Sequence, residues 1–284
     1  MDRLLPTAMY DLNGKVALVT GAGGEGGIGR AIAVRLAQEG ADLVINDVAT
    51  LNHGQSRWKG IPDVVREIEA MGRQALGIRA DVGDAADVDS MVQQAVQRFG
   101  HIDILVNNAS APPGRDRVPV VDLEEDAWDT VQRVNVKGTF FCSQRVAQEM
   151  IRQDRSGKII IISSTRGKRG AARFAAYCAS KFALIGFAQS LAMELAPHHI
   201  NVNTICPGIV KTERLDHIAV AMAGEGESPQ EYQAQMLRQR ALEIPLGRLG
   251  EGTDIARMAA FLASSESDYL TGLSINVTGG THMN

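Results

Sequence analysis

The sequence predicts a single α/β domain, residues 1–284, built on a doubly wound parallel sheet of about seven strands. Short apolar runs alternate with helical patterns along the chain, and this alternation is typical of a parallel sheet with helices on both faces. The 284 residues are 45% hydrophobic and 22% charged, which is enough apolar material for one full core and favours one domain over two. The rules for crossovers between parallel strands favour the strand order 3-2-1-4-5-6-7.

A glycine-rich loop follows the first strand. Residues 15–20 form a short apolar run, and residues 21–29, GAGGEGGIG, lead from it into a helical pattern that includes Ile32 and Leu36. Strand, glycine loop and helix in this order are the context of a dinucleotide-binding fingerprint. Glycines permit close backbone approach, and the start of a helix offers N–H groups to a pyrophosphate. We therefore expect a bound dinucleotide here; a flexible loop with no ligand is the alternative.

The second strand ends in an acidic residue. Residues 41–47 form an apolar run that closes on Asp47, roughly twenty residues beyond the glycine loop, where an acid accepts both hydroxyls of an adenosine ribose. A 2′-phosphate would meet a carboxylate at this position. The glycine loop also contains Glu25 and no cation, so NAD is favoured over NADP. The alternative for Asp47 is a simple turn residue after a strand.

A proton-transfer site is predicted beyond the fifth strand. Residues 158–163 are an apolar run followed by Ser164, and ligands bind beyond the carboxyl ends of the strands in open parallel sheets. Tyr177 lies thirteen residues later, and Lys181 follows it by one turn of a helix predicted over 175–195. A nearby ammonium lowers the pKa of a phenol, so general acid–base catalysis becomes possible. The Tyr–Lys spacing alone also occurs on solvated helix faces; the added serine makes the pattern specific.

These motifs occur in the order found in the short-chain dehydrogenase/reductase family, and the chain resembles that family from about Leu12 to Gly280. The resemblance implies a Rossmann-type fold and a nicotinamide dinucleotide cofactor. Two departures are present. Five residues rather than three separate Gly21 from the final Gly-Ile-Gly, and Ser110 replaces a glycine. The segments that carry the resemblance are Thr20–Gly29, Asp81-Val82, Asn107–Ala109, Asn135, Ser164, Tyr177 with Lys181, and 207–212.

The resemblance implies a catalytic set of Asn135, Ser164, Tyr177 and Lys181. Tyr177 would remove the alcohol proton, and Ser164 would hydrogen-bond the same oxygen. Lys181 would hold the nicotinamide ribose and depress the pKa of the tyrosine. Asn135, a neutral helix residue on propensity alone, would hold a helix distortion and a water that links the lysine to solvent. Hydride would pass from the carbinol carbon to NAD and leave a ketone.

The resemblance also extends the cofactor site. Asp81 and Val82, after the third strand at 75–79, resemble the family's adenine contact. Asn108 and Ala109, after the fourth strand, resemble the segment that lines the adenine ribose and braces the sheet. The sixth strand is predicted over 200–205, and Pro207 ends it; beyond it, the Val210 backbone would grip the nicotinamide carboxamide and Thr212 would cap it. The full set expected at the cofactor is Gly21, Gly24, Glu25, Gly27, Ile28, Asp47, Asp81, Val82, Asn108, Ala109, Tyr177, Lys181, Pro207, Gly208, Val210 and Thr212.

A basic segment separates the catalytic serine from the tyrosine. Four cations lie within residues 166–173 of a chain whose formal net charge is −4, so they create a local positive field. We expect Arg166 and Arg173 to face the pocket, because an arginine fork matches carboxylate or phosphate oxygens. A solvated loop or a subunit contact is the alternative.

Two further segments remain to be placed. Residues 213–245 form a long polar stretch that we interpret as a mobile substrate lid, with a solvated helix pair as the alternative. Residues 49–60 lengthen the connection after Asp47, where they would cover the adenosine end of the cofactor or join a subunit contact.

Composition and charge exclude several classes of protein. The negative net charge and the lack of a basic stripe do not support nucleic-acid binding. The first dozen residues lack the apolar core of a signal peptide, and no apolar run reaches ~18 residues, so we expect a cytoplasmic protein without a membrane span. The cysteines and histidines lack metal-ligand spacing, and no metal is expected. Apolar helix faces around Phe140 and Phe182, with the resemblance, indicate a homotetramer.

The sequence therefore favours an NAD-dependent dehydrogenase that interconverts a secondary alcohol and a ketone. An NADPH-dependent reductase of 3-oxoacyl thioesters or similar carbonyls is the nearest alternative, and cofactor preference separates the two. A dinucleotide-binding sensor that has lost catalysis is the alternative from another class. Such proteins typically lack the tyrosine or the lysine, and both are present here.

Overall fold

The computed structural model describes residues 9–48, 58–222 and 228–283. Within these ranges strands and helices alternate along most of the chain. The strands are β1 (Val16–Val19), β2 (Asp42–Asp47), β3 (Ala75–Arg79), β4 (Ile104–Asn107), β5 (Gly157–Ile162), β6 (Ile200–Pro207) and β7 (Ser274–Val277). The helices are α1 (Ile28–Gln38), α2 (Ile61–Glu69), α3 (Ala85–Phe99), α4 (Glu125–Gln132), α5 (Gly138–Arg152), α6 (Ala175–Leu195), α7 (Arg214–Met222), α8 (Pro229–Glu243) and α9 (Gly252–Ala263).

The strands form one parallel sheet in the order β3-β2-β1-β4-β5-β6-β7. The predicted fold class and strand order are therefore confirmed. In the register of the sheet, Ile160 of β5 lies between Val106 of β4 and Asn203 of β6. The strand order reverses between β1 and β4, and ligands of such sheets bind in the crevice beyond the carboxyl ends of the strands at this switch point.

Helices cover both faces of the sheet. Ile160 and Ile162 join a core that contains residues of α1, α2 and α9, whereas Ile159 and Ile161 join a core that contains residues of α3, α5 and α6. All four isoleucines are buried, which is why β5 is an unbroken apolar run. Full burial of one such side chain contributes about 1.5–3 kcal/mol.

The sixth strand is longer than its sequence predicts. The predicted end at Ile205 is wrong, because β6 continues through Pro207, which lies opposite Val277 of β7. The missing proline N–H does not stop the pairing at this position, since the next donor, the Gly208 N–H, bonds the Val277 carbonyl at 3.0 Å. The sheet thereby extends two residues further toward the site.

The polar stretch 213–245 contains the helix pair α7 and α8. Leu215 and Ala219 of α7 are buried, whereas every residue of α8 that the structure describes keeps some exposure. The helix-pair alternative therefore describes this stretch, and its movement as a lid stays a prediction. Most of the 49–60 insertion falls outside the described residues. Among the helices that are described, none has the length and apolar character needed to cross a membrane.

Candidate active site

Glycines allow the loop after β1 to pack tightly against the end of β4. Gly21 has a φ of +62°, and a Cβ at this position would lie 2.7 Å from the Ala109 Cα. A Cβ on Gly29 would lie 2.5 Å from the Gly21 carbonyl oxygen. The Asn108 side-chain amide donates to the carbonyls of Thr20 and Gly21, both at 2.9 Å. Asn108 and Ala109 therefore brace the loop at the switch point of the sheet.

The start of α1 suits an anionic ligand. The N–H groups in the first turn of a helix have no intrahelical partner. The N-cap residue of α1, Gly27, has no side chain that could cap them. The nearby Gly26 N–H donates to the Glu213 carboxylate at 2.8 Å, which shows that an oxygen anion can approach this loop. A pyrophosphate presents the same kind of oxygen. The loop, which also includes Gly24, the exposed Glu25 and Ile28, therefore fits a dinucleotide.

Asp47 lies beside the glycine loop at the end of β2. Its carboxylate accepts from the Gly23 N–H at 2.9 Å and from the Val48 N–H at 2.8 Å. An ionised carboxylate has about four acceptor positions, so two positions that no described residue occupies remain for ribose hydroxyls. Trp58, at the described end of the 49–60 insertion, donates its indole N–H to the Gly23 carbonyl at 2.7 Å. This contact brings part of the insertion to the same end of the loop.

Asp81 and Val82 follow β3 at the same edge of the sheet. The Asp81 carboxylate accepts from the Gly83 N–H at 2.8 Å and from Arg133 at 2.7 Å. Val82 is buried, and a Cβ on Gly138 would lie 2.7 Å from its side chain. Packing therefore holds Val82, and a partly exposed ion pair holds Asp81. Their contact with an adenine stays a prediction.

Ser164, Tyr177 and Lys181 meet beyond the end of β5. The Ser164 hydroxyl accepts from the Arg166 N–H at 3.1 Å and lies near enough to the Tyr177 phenol to lower its pKa. Tyr177 and Lys181 lie one turn apart on α6, with the Lys181 Nζ 5.7 Å from the centre of the tyrosine ring. Lys181 is 3% exposed, and its Nζ donates to the Ile162 carbonyl at 2.9 Å. The structure thus brings together the three residues that the sequence pattern singles out.

The charges around Tyr177 favour its phenolate. Burial raises the pKa of the phenol, and the cations of Lys181 and Arg214 lower it. The Ser164 hydroxyl and the Arg117 cation lower this pKa further, so the net pKa of Tyr177 is below its ordinary value. Burial lowers the pKa of Lys181, an effect that the nearby Tyr177 opposes. A phenol with a lowered pKa is suited to exchange a proton with an alcohol.

Asn135 lies in a distorted segment between α4 and α5. Residues Arg133–Lys137 form a turn of π-helix, a distortion that is frequent at functional sites. The Asn135 Oδ1 accepts from the Ala111 N–H at 2.8 Å, and its Nδ2 donates to the Ser180 hydroxyl at 2.9 Å. Asn135 is 1% exposed. Its side chain therefore connects the loop after β4 to α6, one residue before Lys181, while the expected water relay stays a prediction.

The segment after β6 also lies at the edge of the sheet where the strands end. Gly208 packs against Thr278, since a Cβ on it would lie 3.2 Å from the Thr278 Cα. Val210 is buried and forms a β-bridge with Gly250. The Thr212 carbonyl accepts from the Leu215 N–H at 3.0 Å, at the start of α7. These contacts hold the segment in place beside the carboxyl end of β6.

The arginines expected to meet substrate have partners within the protein. Arg166 donates to the Gly170 carbonyl at 3.2 Å, and its guanidinium carbon lies 5.7 Å from the centre of the Phe174 ring. Arg173 donates to the carbonyls of Arg117 at 3.0 Å and Ala221 at 3.3 Å. Arg173 therefore braces the loop after β4 against α7. A substrate role for Arg166 and Arg173 stays a prediction.

Two other arginines contact Tyr177, the candidate catalytic tyrosine, and the sequence patterns miss both. The guanidinium carbons of Arg117 and Arg214 lie 5.0 Å and 5.1 Å from the centre of the Tyr177 ring. Arg117 comes from the loop after β4 and Arg214 from the first turn of α7. In sequence they lie 60 and 37 residues from Tyr177, so no local pattern connects them to it. The adjacent Asp116, which pairs with Arg117, is the one local signal.

Comparison with known proteins agrees with this geometry. The short chain dehydrogenase family model matches residues 15–222, which span the glycine loop, the sheet from β1 to β6 and all four candidate catalytic residues. The chain belongs to the short-chain dehydrogenase/reductase family. It is an oxidoreductase of that family, whose members bind a nicotinamide dinucleotide.

Three relatives illustrate the range of the family. The chain is 40% identical over 269 residues to 3-oxoacyl-(acyl-carrier-protein) reductase FabG of Staphylococcus aureus, covering 95% of this chain and 98% of that one. It is 38% identical to sorbitol dehydrogenase of Cereibacter sphaeroides over 273 residues, covering 96% and 99%. The crystal structure of carveol dehydrogenase from Mycobacterium avium in complex with NAD is 28% identical, covers 96% and 99%, and has a TM-score of 0.84.

Proposed function

We propose that this protein is an NAD-dependent dehydrogenase that interconverts a secondary alcohol and a ketone, with Tyr177 as the acid–base residue. The observation that carries the proposal is the meeting of Tyr177, Lys181 and Ser164 beyond the carboxyl end of β5, with cations that lower the pKa of the phenol. Sorbitol dehydrogenase and carveol dehydrogenase among the relatives support the same chemistry.

The side chains divide the work of proton transfer. The ionised Tyr177 accepts the alcohol proton, while Ser164 donates a hydrogen bond to the same oxygen and holds it in place. Lys181 keeps its ammonium fixed through the Ile162 carbonyl, and two of its three N–H donors, which bond no described residue, remain for a ribose. Asn135 holds the π-helical turn and the loop after β4 beside Tyr177. The nicotinamide ring, when bound, supplies the hydride acceptor.

NAD is the proposed cofactor. Asp47 supports this choice because its carboxylate lies at the end of β2 beside the glycine loop and keeps acceptor positions for ribose hydroxyls. The exposed Glu25 adds a second negative charge to this loop. A 2′-phosphate would therefore meet the Asp47 carboxylate. The NAD complex of the carveol dehydrogenase is consistent with the same choice.

An NADPH-dependent reductase of 3-oxoacyl thioesters is the second candidate, favoured by the 40% identity to the Staphylococcus aureus enzyme. One experiment separates the candidates. A panel of secondary alcohols, polyols, steroids and hydroxyacyl compounds is assayed with NAD, and the matching carbonyls with NADPH, by nicotinamide absorbance. We expect turnover with NAD and loss of it in Tyr177→Phe. Efficient reduction of 3-oxoacyl thioesters with NADPH alone would select the second candidate.

The protein is further proposed to act as a homotetramer. Phe140 of α5 and Phe182 of α6 are 40% and 47% exposed, and the Phe140 ring packs edge-on against Phe187 of α6 at 6.3 Å. This apolar surface supports pairing of α5 and α6 with a second copy. Sedimentation velocity of the parent and of Phe182→Glu tests the proposal. A parent that sediments as a monomer would contradict it.

A further inference from the structure

Beside the catalytic tyrosine, the two unpredicted arginines each present a donor that nothing in the described protein satisfies. Arg117 is 1% exposed, and its buried Nε has no hydrogen-bond partner among the described residues. The buried Nη2 of Arg214 is unpartnered in the same sense. Buried guanidinium donors are costly to leave unpaired, so these two atoms indicate a ligand with acceptor oxygens.

The surroundings hold both guanidinium groups in place. Arg214 donates through Nη1 to the Ala111 carbonyl at 2.9 Å, and the Ala111 N–H is in turn held by Asn135. Arg117 stacks on the Phe174 ring at 4.4 Å, and its own carbonyl accepts from Arg173. Side chains held in this way lose little conformational entropy on binding, which is what a preorganised site requires.

The charges around Tyr177 do not balance. Asp116, itself buried, pairs with Arg117 and compensates it. The ionised Tyr177 compensates Lys181. Arg214 forms no ion pair with any carboxylate of the described residues. The carboxylates near the site pair with other cations instead, as Asp116 does with Arg117 and Asp81 with Arg133. Among the cations that contact the Tyr177 ring, Arg214 is therefore the one left without a negative partner in the described residues, and an anion of the substrate would neutralise it.

We propose that Arg117 and Arg214 bind a carboxylate of the substrate, so that the preferred substrate is a hydroxy acid, or the matching keto acid, whose carboxylate lies a few bonds from the carbinol. This inference rests on the proposed dehydrogenase function and names its substrate class. The guanidinium carbons of Arg117 and Arg214 lie 5.0 Å and 5.1 Å from the centre of the Tyr177 ring. A planar guanidinium matches two carboxylate oxygens with parallel hydrogen bonds. A phosphate monoester carries up to two negative charges, one more than Arg214 supplies.

The test compares acids with their neutral amides. 3-Hydroxybutyrate, 4-hydroxypentanoate and the amide of each are oxidised with NAD, with 3-hydroxybutyl phosphate as a further probe. We expect kcat/KM of the better acid to exceed that of its amide at least about tenfold, since a hydrogen bond to a charged group contributes that much or more. Arg214→Gln should lower the acid-to-amide ratio of kcat/KM about tenfold to a hundredfold. This ratio cancels any effect of Arg214 on the tyrosine pKa, because the acid and the amide share that effect.

Three variants serve as comparisons. Arg152→Gln removes an equal charge from the surface of α5, where Arg152 pairs with Glu149, and should leave the ratio unchanged. Arg214→Lys keeps the positive charge but lacks the planar guanidinium, so its acid-to-amide ratio of kcat/KM should lie between those of the parent and Arg214→Gln. If Arg166→Gln lowers the acid-to-amide ratio of kcat/KM more than Arg214→Gln does, the assignment is wrong. The segment after β5 would then recognise the substrate. Circular dichroism of each variant reports its folding.

A binding measurement separates this inference from the proposed function. In Tyr177→Phe with saturating NAD, calorimetry should show tighter binding of 3-hydroxybutyrate or 4-hydroxypentanoate than of the matching amide, and Arg214→Gln in this background should abolish the difference. Equal turnover and equal binding of acids and amides would refute the carboxylate site and leave the dehydrogenase intact. No oxidation of any alcohol would refute the proposed function, while the binding result still decides the site. A preference for the phosphate probe would also overturn the carboxylate assignment.

Discussion

Replacement of Asp47 tests how the protein reads its cofactor. The carboxylate already accepts two backbone N–H groups, at 2.9 Å from Gly23 and 2.8 Å from Val48, so an adenosine ribose would add bonds to the remaining lone pairs. Loss of one hydrogen bond to a charged group costs about 2 kcal/mol, which is roughly 30-fold in kcat/KM. We expect Asp47→Ala to reduce kcat/KM for NAD by about this factor, mainly through KM. The parent should prefer NAD over NADP more than about tenfold.

The same replacement also removes a brace from the glycine loop, so a matched variant is needed. Asp47→Asn keeps one acceptor oxygen for the Gly23 N–H and removes the charge. In both variants kcat/KM for NADP should rise or hold while that for NAD falls, because the 2′-phosphate no longer meets a carboxylate. Initial rates of the parent and both variants with each cofactor, at saturating alcohol, give the six values of kcat/KM. Equal use of NAD and NADP by the parent, or equal losses for both cofactors in the variants, would refute the reasoning.

Three further predictions follow from the geometry of the site. Tyr177→Phe keeps the ring that both arginines flank and removes the proton acceptor, so kcat should fall roughly 10²–10⁴-fold with NADH binding, measured by fluorescence, retained; near-parent turnover would contradict the assignment. Burial raises the pKa of Tyr177 and the Arg214 cation lowers it, so Arg214→Gln should raise it. Since oxidation speeds up as the phenol ionises, the rising limb of kcat/KM for a neutral alcohol should move to higher pH, and an unmoved limb would count against the contact. Asn135→Ala leaves the buried Ala111 N–H unpaired, so the free energy of unfolding in urea should fall by about 1–3 kcal/mol. An unchanged urea midpoint would show that the Asn135 hydrogen bond does not stabilise the loop after β4.

The sequence by itself determines the fold and the centre of the site, because both depend on local patterns. The inner strands β1, β4 and β5 are mostly apolar runs, and the glycines of the loop are needed wherever the backbone must approach its neighbour, as Gly21 approaches Ala109. Tyr177 and Lys181 meet because four residues make one helical turn, and Ser164 joins them because parallel strands end at one edge.

Only the tertiary structure decides what surrounds Tyr177. Sequence proximity favours Arg166 and Arg173 as substrate contacts, yet both donate to backbone carbonyls. Arg117 comes from the loop after β4 and Arg214 from the first turn of α7, two segments distant in sequence that the fold brings to the tyrosine, and the pairing with Asp116 leaves one of their two charges unbalanced. Charge balance in a partly buried site depends on which groups lie within a few ångströms of one another. Packing between distant parts of the chain sets those distances, so the spacing of residues along the sequence does not predict which charges meet.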